Sequence, residues 1–300
     1  MSNSERSSHS NRFLRAILRA TGSLCLAIAL SALPVTAESS PPRDREIKAR
    51  LANDSSGTLR RVNYSPLSLR GGSKLTLISP QAWSPLAEQI RDVLEKTHEY
   101  YTTLFGEIPP ISTAIRLMDE ETFFIATGAP KWTNAMYYRN QIVIPLALNT
   151  EIDMDALRRA VKHEYTHAII HALSSGRCPG WLDEGLAQWA EGSENPALQP
   201  ALRDWVLRAG AVPLSILQGG FTKLDAKIVP AAYAQSLYSA YVVMNSFGFV
   251  PLRNYFDLLR KGEDRDEAFK RSFELSETSF EQRLGESLER WAKSPHKHRH

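Results

Sequence analysis

The stretch AVKHEYTHAIIHAL, which begins at Ala160, places His163, His167 and His171 at intervals of four, with Glu164 directly after the first. Four residues is just over one helical turn, so neighbouring imidazoles in this row share a helix face. The surrounding residues are largely apolar, so the helix must bury one side and keep little room for chemistry on the other. Two imidazoles on one face can reach a single cation. Glu164 then points to the side of the pair, where it can take a proton from zinc-activated water instead of binding the metal. Core packing is the competing explanation, and a third ligand decides between the two.

His171 does not supply that ligand. Eight residues of helix put it roughly 12 Å from His163, while a zinc–nitrogen bond is only about 2.1 Å long. It reads as a structural or pocket-lining residue. The longer pattern H-E-x-x-H-x-x-G-x-x-H also fails, because Ile170 and Leu173 occupy its glycine and final histidine positions. Glu184, in PGWLDEGLAQWAEG, follows His167 after sixteen intervening residues. That is enough for a helix end, a turn and the start of an antiparallel helix. Gly185 and Ala187 are small, which lets the two helices approach closely. The set His163, His167 and Glu184 leaves a fourth coordination position for water, as a catalytic zinc requires.

The chain has 300 residues with a net charge of +3. That charge belongs to the first 37 residues, where Arg6, Arg12, Arg15 and Arg19 face only Glu5. The remainder is near neutral, which gives no electrostatic case for nucleic acid as a partner, since neutralising phosphates needs a clustered basic face. The same arginines precede GSLCLAIALSALPVTA, a short apolar run ending in Val35-Thr36-Ala37. Residues 1–37 therefore read as a signal peptide cleaved after Ala37, with export to the periplasm or the exterior; an uncleaved anchor is the alternative. Leu24 before Cys25 does not suit a lipid anchor, and no later segment is apolar enough to span a membrane. After cleavage only Cys178 remains, so stability must come from the core. Cys178 precedes a proline at an expected turn and reads as a packed residue, not a nucleophile.

Residues 38–73 are polar and read as a flexible or short-strand segment. KLTLIS (74–79) and TAIRLMD (113–119) suit strands, and Pro85 opens a helix to about Phe105. AMYYRNQIVIPLAL reads as a hairpin around Arg139-Asn140 or one bent strand, with QIVIP and its proline suited to a sheet edge. An extended peptide could pair with that edge through backbone hydrogen bonds. From Asp153, whose side chain or that of Asp155 can cap the histidine helix, the pattern is helical almost throughout. Helices are expected at about 197–209, 230–247, 251–261, 265–272 and 278–292. Strands first and helices after point to an α+β fold, a small mixed sheet followed by a mostly helical half. The tail 293–300 is histidine-rich and reads as a solvated basic end.

H-E-Y-T-H followed by P-G-W-L-D-E-G-L-A resembles the gluzincin zinc metallopeptidases, and most closely the bacterial peptidase-MA-like group with its W-L-x-E-G-x-A motif. The similarity runs from about residue 74 to 292. YAQSLYSAYVVMNSFG and DEAFKRSFELSETSFEQRLGESLERW resemble that group's C-terminal helices. The resemblance implies a zincin-like fold, a bound zinc ion and peptide or protein substrates. It further implies an oxyanion donor on a later helix, which Tyr233 matches best and Tyr238 matches second. Tyr233, Leu237 and Tyr241 also share helical spacing, so core packing is the competing reading of these aromatics. A histidine ligand needs an acceptor to fix its tautomer, and Asp183, Gln188 and Glu191 are the candidates. Where some gluzincins carry an aspartate four residues after the glutamate ligand, this chain has Gln188.

G-x-S-x-G is absent, which removes the common serine-hydrolase signature, and there is no phosphate-cradling glycine loop. Two alternatives stand beside an exported zinc metallopeptidase. One is a metallopeptidase-like scaffold acting as a binding or assembly module, which does not require a water-activating glutamate. The other is hydrolysis of a non-peptide amide at the same site. Natural substrate and oligomeric state are not legible in the sequence.

Overall fold

A glycine pair at positive φ, Gly71 at 73° and Gly72 at 83°, turns the first strand of the sheet back on itself. β1 (Val62–Ser68) and β2 (Lys74–Pro80) pair antiparallel across this turn. A computed structural model describes residues 62–130, 133–138, 140–147, 152–192 and 197–294. The expected signal peptide 1–37, residues 38–61 of the polar segment, Arg139, and the tail beyond Ser294 lie outside the described residues. The sheet begins at Val62, before the expected domain start at residue 74.

The chain is α+β, with a mixed sheet, five-stranded among the described residues, and a mostly helical C-terminal half. It divides into two compact units. One contains the described residues up to Gly176 together with Ala190–Gly192. In it, α1 (Leu86–Phe105) starts just after Pro85 and buries Leu86, Ile90, Leu94 and Tyr101 on one face. It leads into β3 (Ser112–Asp119), parallel to β2. α2 (Glu120–Thr127) follows at once, with Asp119 accepting from the Thr122 backbone N–H as its cap. A hairpin through Asn140, at φ 60°, then joins β4 (Met136–Tyr138) to β5 (Gln141–Leu146). The strand order is β1-β2-β3-β5-β4.

This order corrects one expectation. QIVIP is not the sheet edge: β5 runs parallel to β3 on one side and antiparallel to β4 on the other. Ile142, Val143 and Ile144 are buried, as an apolar run covered by neighbours should be. Among the described residues, the edge on this side is the three-residue β4, which pairs with Gln141–Val143. Pro145 lies past that pairing, so its missing N–H costs no bond to β4. α3 (Met154–Ser174) closes this unit by packing on α1, β4 and β5.

The other unit contains Arg177–Trp189 and the described residues from Ala197 onward. Its helices are most of α4 (Gly180–Glu191), then α5 (Leu198–Ala209), α6 (Val229–Phe247), α7 (Phe249–Arg260), α8 (Arg265–Phe273) and α9 (Glu277–Lys293). Trp181, Tyr255, Phe269, Phe273 and Phe280 form its aromatic core. Among the described residues, no helix is long and apolar enough to cross a membrane.

Candidate metal centre

α3 is started by Asp153, whose carboxylate accepts from the backbone N–H groups of Asp155 and Ala156. Its buried stripe includes Leu157, Val161, Tyr165, Ala168 and Ile169. His163 and His167 are half-buried on a different side, with ring centroids 4.9 Å apart. His163 Nδ1 lies 2.8 Å from Glu191 Oε1, near the end of α4. An ionised carboxylate can only accept, so Nδ1 carries the proton and Nε2 keeps its lone pair for a metal. Of the three acceptors considered from sequence, Glu191 is the one that meets His163.

Glu164 is only 5% exposed. Its neighbour Tyr165 is fully buried, and its hydroxyl donates to His98 Nδ1 on α1 at 2.9 Å. His98 in turn donates from Nε2 to the Arg70 carbonyl at 3.1 Å. Burial pushes the Tyr165 hydroxyl well above its ordinary range. Burial also holds His98 below its ordinary value, although the Arg70 carbonyl pulls the other way. A neutral His98 with one donor and one acceptor nitrogen satisfies both contacts. The back of α3 is thereby tied to α1 at the residue beside Glu164.

α4 is positioned by three local devices. Leu182 and Asp183 donate their backbone N–H groups to the Pro179 carbonyl, which starts the helix. At Gly185 a Cβ would lie 2.2 Å from the Ser236 carbonyl oxygen and 2.7 Å from the Ala240 Cβ. The glycine therefore serves the close approach of α4 to α6, which corrects the expectation that its small size serves the histidine helix. Gln188 Nε2 donates to the Tyr233 carbonyl at 2.9 Å, a second tie to α6. That contact gives the Gln188 amide a structural partner on α6.

His163, His167 and Glu184 each present one possible ligand atom, and these atoms lie within 4.8 Å of one another. Two imidazoles and one carboxylate within that span are a donor set suited to zinc with an open position. Tyr233 is half-buried, its ring packed edge-to-face on Phe221 at 5.1 Å. Tyr238 is buried, and its hydroxyl lies 3.2 Å from Ser287 on α9, which makes it a core residue. His171 is exposed and sits edge-on to Tyr137 of β4 at 5.9 Å. Cys178 is half-buried; burial, then Asp183 and Glu277, push its thiol well above the usual range against Arg265, which suits a packed thiol.

Two supporting contacts escaped sequence reasoning: His98 with Tyr165, and Trp181 Nε1 donating to Glu277 at 3.0 Å. Their only sequence signal is a polar atom inside an otherwise apolar stripe.

The family model described as the Peptidase MA superfamily matches residues 118–289. No curated protein matches the chain in sequence. Among solved structures, an M1 zinc metallopeptidase from Deinococcus radiodurans is 14% identical with a TM-score of 0.39, covering 79% of this chain and 53% of that one. A mutant M1 zinc metallopeptidase from the same organism, bound to a Tyr-Ser-Ala substrate, is 12% identical with a TM-score of 0.39, covering 78% and 52%. A two-domain M1 zinc metallopeptidase mutant bound to L-arginine is 15% identical with a TM-score of 0.36, covering 79% and 52%. The chain spans about half the length of these structures.

Proposed function

Since the chain belongs to the Peptidase MA superfamily, we propose that it is an exported zinc metallopeptidase of the gluzincin type, acting on peptides or proteins. The observation that carries this reading is the convergence of His163, His167 and Glu184, with ligand atoms within 4.8 Å of one another. These three residues would hold the zinc ion. When bound, zinc supplies a Lewis acid that lowers the pKa of water and polarises a carbonyl.

The chain's own residues do the rest. Glu191 keeps the His163 proton on Nδ1, which frees Nε2 for ligation. A Glu164 carboxylate oxygen accepts the proton of the attacking water and returns it to the leaving amine nitrogen. Burial of Glu164 keeps bulk water off that proton's path. The Tyr233 hydroxyl donates to the developing oxyanion. Its backbone tie to Gln188 and its packing on Phe221 support this assignment by fixing where the ring sits. An extended substrate would pair through its backbone with the outer edge of β4, the last strand of the sheet among the described residues, beside α3. The arginine-flanked apolar run before Ala37 supports export.

The experiment is Glu164→Gln, assayed for zinc content and for cleavage of casein or a peptide library with and without a chelator. Retained zinc with lost cleavage is expected. Cleavage at the wild-type rate would refute the general-base role, and stoichiometric zinc with no cleavage by the wild type would favour a binding module.

A further inference from the structure

Glu277 is a buried carboxylate with no part in the chemistry above. It is 7% exposed and is the first residue of α9, where a negative charge complements the helix N-terminus. Its Oε1 accepts from Trp181 Nε1 at 3.0 Å and from Gln218 Nε2 at 3.4 Å. Its Oε2 accepts from Arg265 Nε at 3.0 Å, and its backbone N–H donates to Asp266 at 3.2 Å. Trp181 is fully buried, stacked on Phe280 at 5.6 Å and tilted against Phe269 at 6.4 Å.

A carboxylate is costly to bury, and each of these donors offsets part of that cost. Core packing alone would be served by apolar residues in place of the pair. What the charge adds is direction. The indole N–H must point at one oxygen, so the Trp181 ring cannot turn or slide among its aromatic neighbours. Trp181 lies three residues before Glu184 on α4, so the two side chains leave nearly the same side of the helix one turn apart. Farther along, α4 is tied to α6 at Gly185 and Gln188. With its first turn tied to α9 as well, the helix can neither rotate about its axis nor slide along it.

We infer that Glu277 is a positioning residue for the metal centre: through Trp181 it sets the rotation of α4, and with it the reach of the Glu184 carboxylate. The inference rests on the proposed ligand set and adds to it a residue remote from the ion.

The test is a double-mutant cycle on zinc affinity, read by chelator competition on the full chain. The four proteins are wild type, Trp181→Phe, Glu184→Ala and the double variant. His296, His298 and His300 are present in all four, so any zinc they bind cancels. Trp181→Phe keeps the stacked ring and removes the indole donor. It is expected to weaken zinc binding about tenfold when Glu184 is present, the scale typical of groups that orient ligands, and to leave affinity unchanged in the Glu184→Ala background. Glu277→Gln, run through the same cycle, is expected to give the same pattern. Equal weakening in both backgrounds, or none in either, would overturn the inference, because the pair would then serve the fold alone. Failure of both variants to fold without metal would overturn it for the same reason. If Glu184→Ala alone leaves zinc affinity unchanged, the ligand set itself fails and the inference falls with it. That result is visible before Trp181 is altered.

Discussion

Replacing Gly185 with alanine sets two opposite expectations against each other. In a helix interior, alanine is favoured over glycine by about 1 kcal/mol, so propensity alone makes Gly185→Ala stabilising. The packing says otherwise. The new Cβ would lie 2.2 Å from the Ser236 carbonyl oxygen and 2.7 Å from the Ala240 Cβ, both atoms of α6 and neither able to swing away. Restoring ordinary contact requires α4 and α6 to part by about 1 Å, and overpacking of this kind costs about 1–3 kcal/mol. The same displacement stretches the 2.9 Å bond from Gln188 Nε2 to the Tyr233 carbonyl out of range, which costs about 1 kcal/mol more. After the propensity gain is subtracted, the variant should be about 2 kcal/mol less stable, with a Tm about 4–8 °C lower for a chain of this size. Thermal and urea unfolding of the metal-stripped protein, followed by circular dichroism, measures this. A variant as stable as wild type, or more so, would refute the close-approach argument.

Two tyrosines on α6 should behave differently. Tyr233→Phe should lower kcat by about 10²–10³-fold with little change in stability. Tyr238→Phe, which loses the contact with Ser287, should cost about 1 kcal/mol of stability and leave kcat alone. The reverse pattern in peptide assays and unfolding curves would move the oxyanion role to Tyr238. His98 provides a pH prediction. Burial lowers its folded pKa below the ordinary 6.5, so the unfolded chain binds the proton first as pH falls. Its contribution is fully present above that ordinary value and is lost as pH drops through the folded value. His98→Gln, which keeps one donor and one acceptor, should therefore lose less of its urea midpoint between about pH 7.5 and about pH 5.5 than wild type does. An unchanged difference would assign the acid sensitivity elsewhere.

The elements legible in the sequence were those with their own signals. α1 has Pro85 before it and a four-residue apolar stripe, and α3 has Asp153 as its cap. The later helices fall within a few residues of their expected spans. α2 was missed because Asp119 both ends β3 and caps the helix, and eight residues with Phe123 buried are too few for a period to show. β1 falls within the stretch expected to hold short strands, but Pro66 and the exposed Val62 and Tyr64, all tolerated on an edge strand, leave its bounds unmarked. Pro145 makes β5 read as an edge, whereas its continuous apolar run is the mark of a strand paired on both sides. At the site, helical spacing identified the histidine pair and chain length brought Glu184 within consideration. Glu191 stood among three candidate acceptors, since only packing chooses between them. The partners of Tyr165 and Trp181 lie 67 and 96 residues away, beyond the reach of any local pattern.

The most direct test is a crystal structure of the zinc-loaded chain with anomalous differences collected across the zinc edge. A single ion is expected with nitrogen from His163 and His167 and oxygen from Glu184, each at about 2.0–2.2 Å. Zinc bound elsewhere, or at the two histidines with the Glu184 carboxylate turned away, would contradict the account.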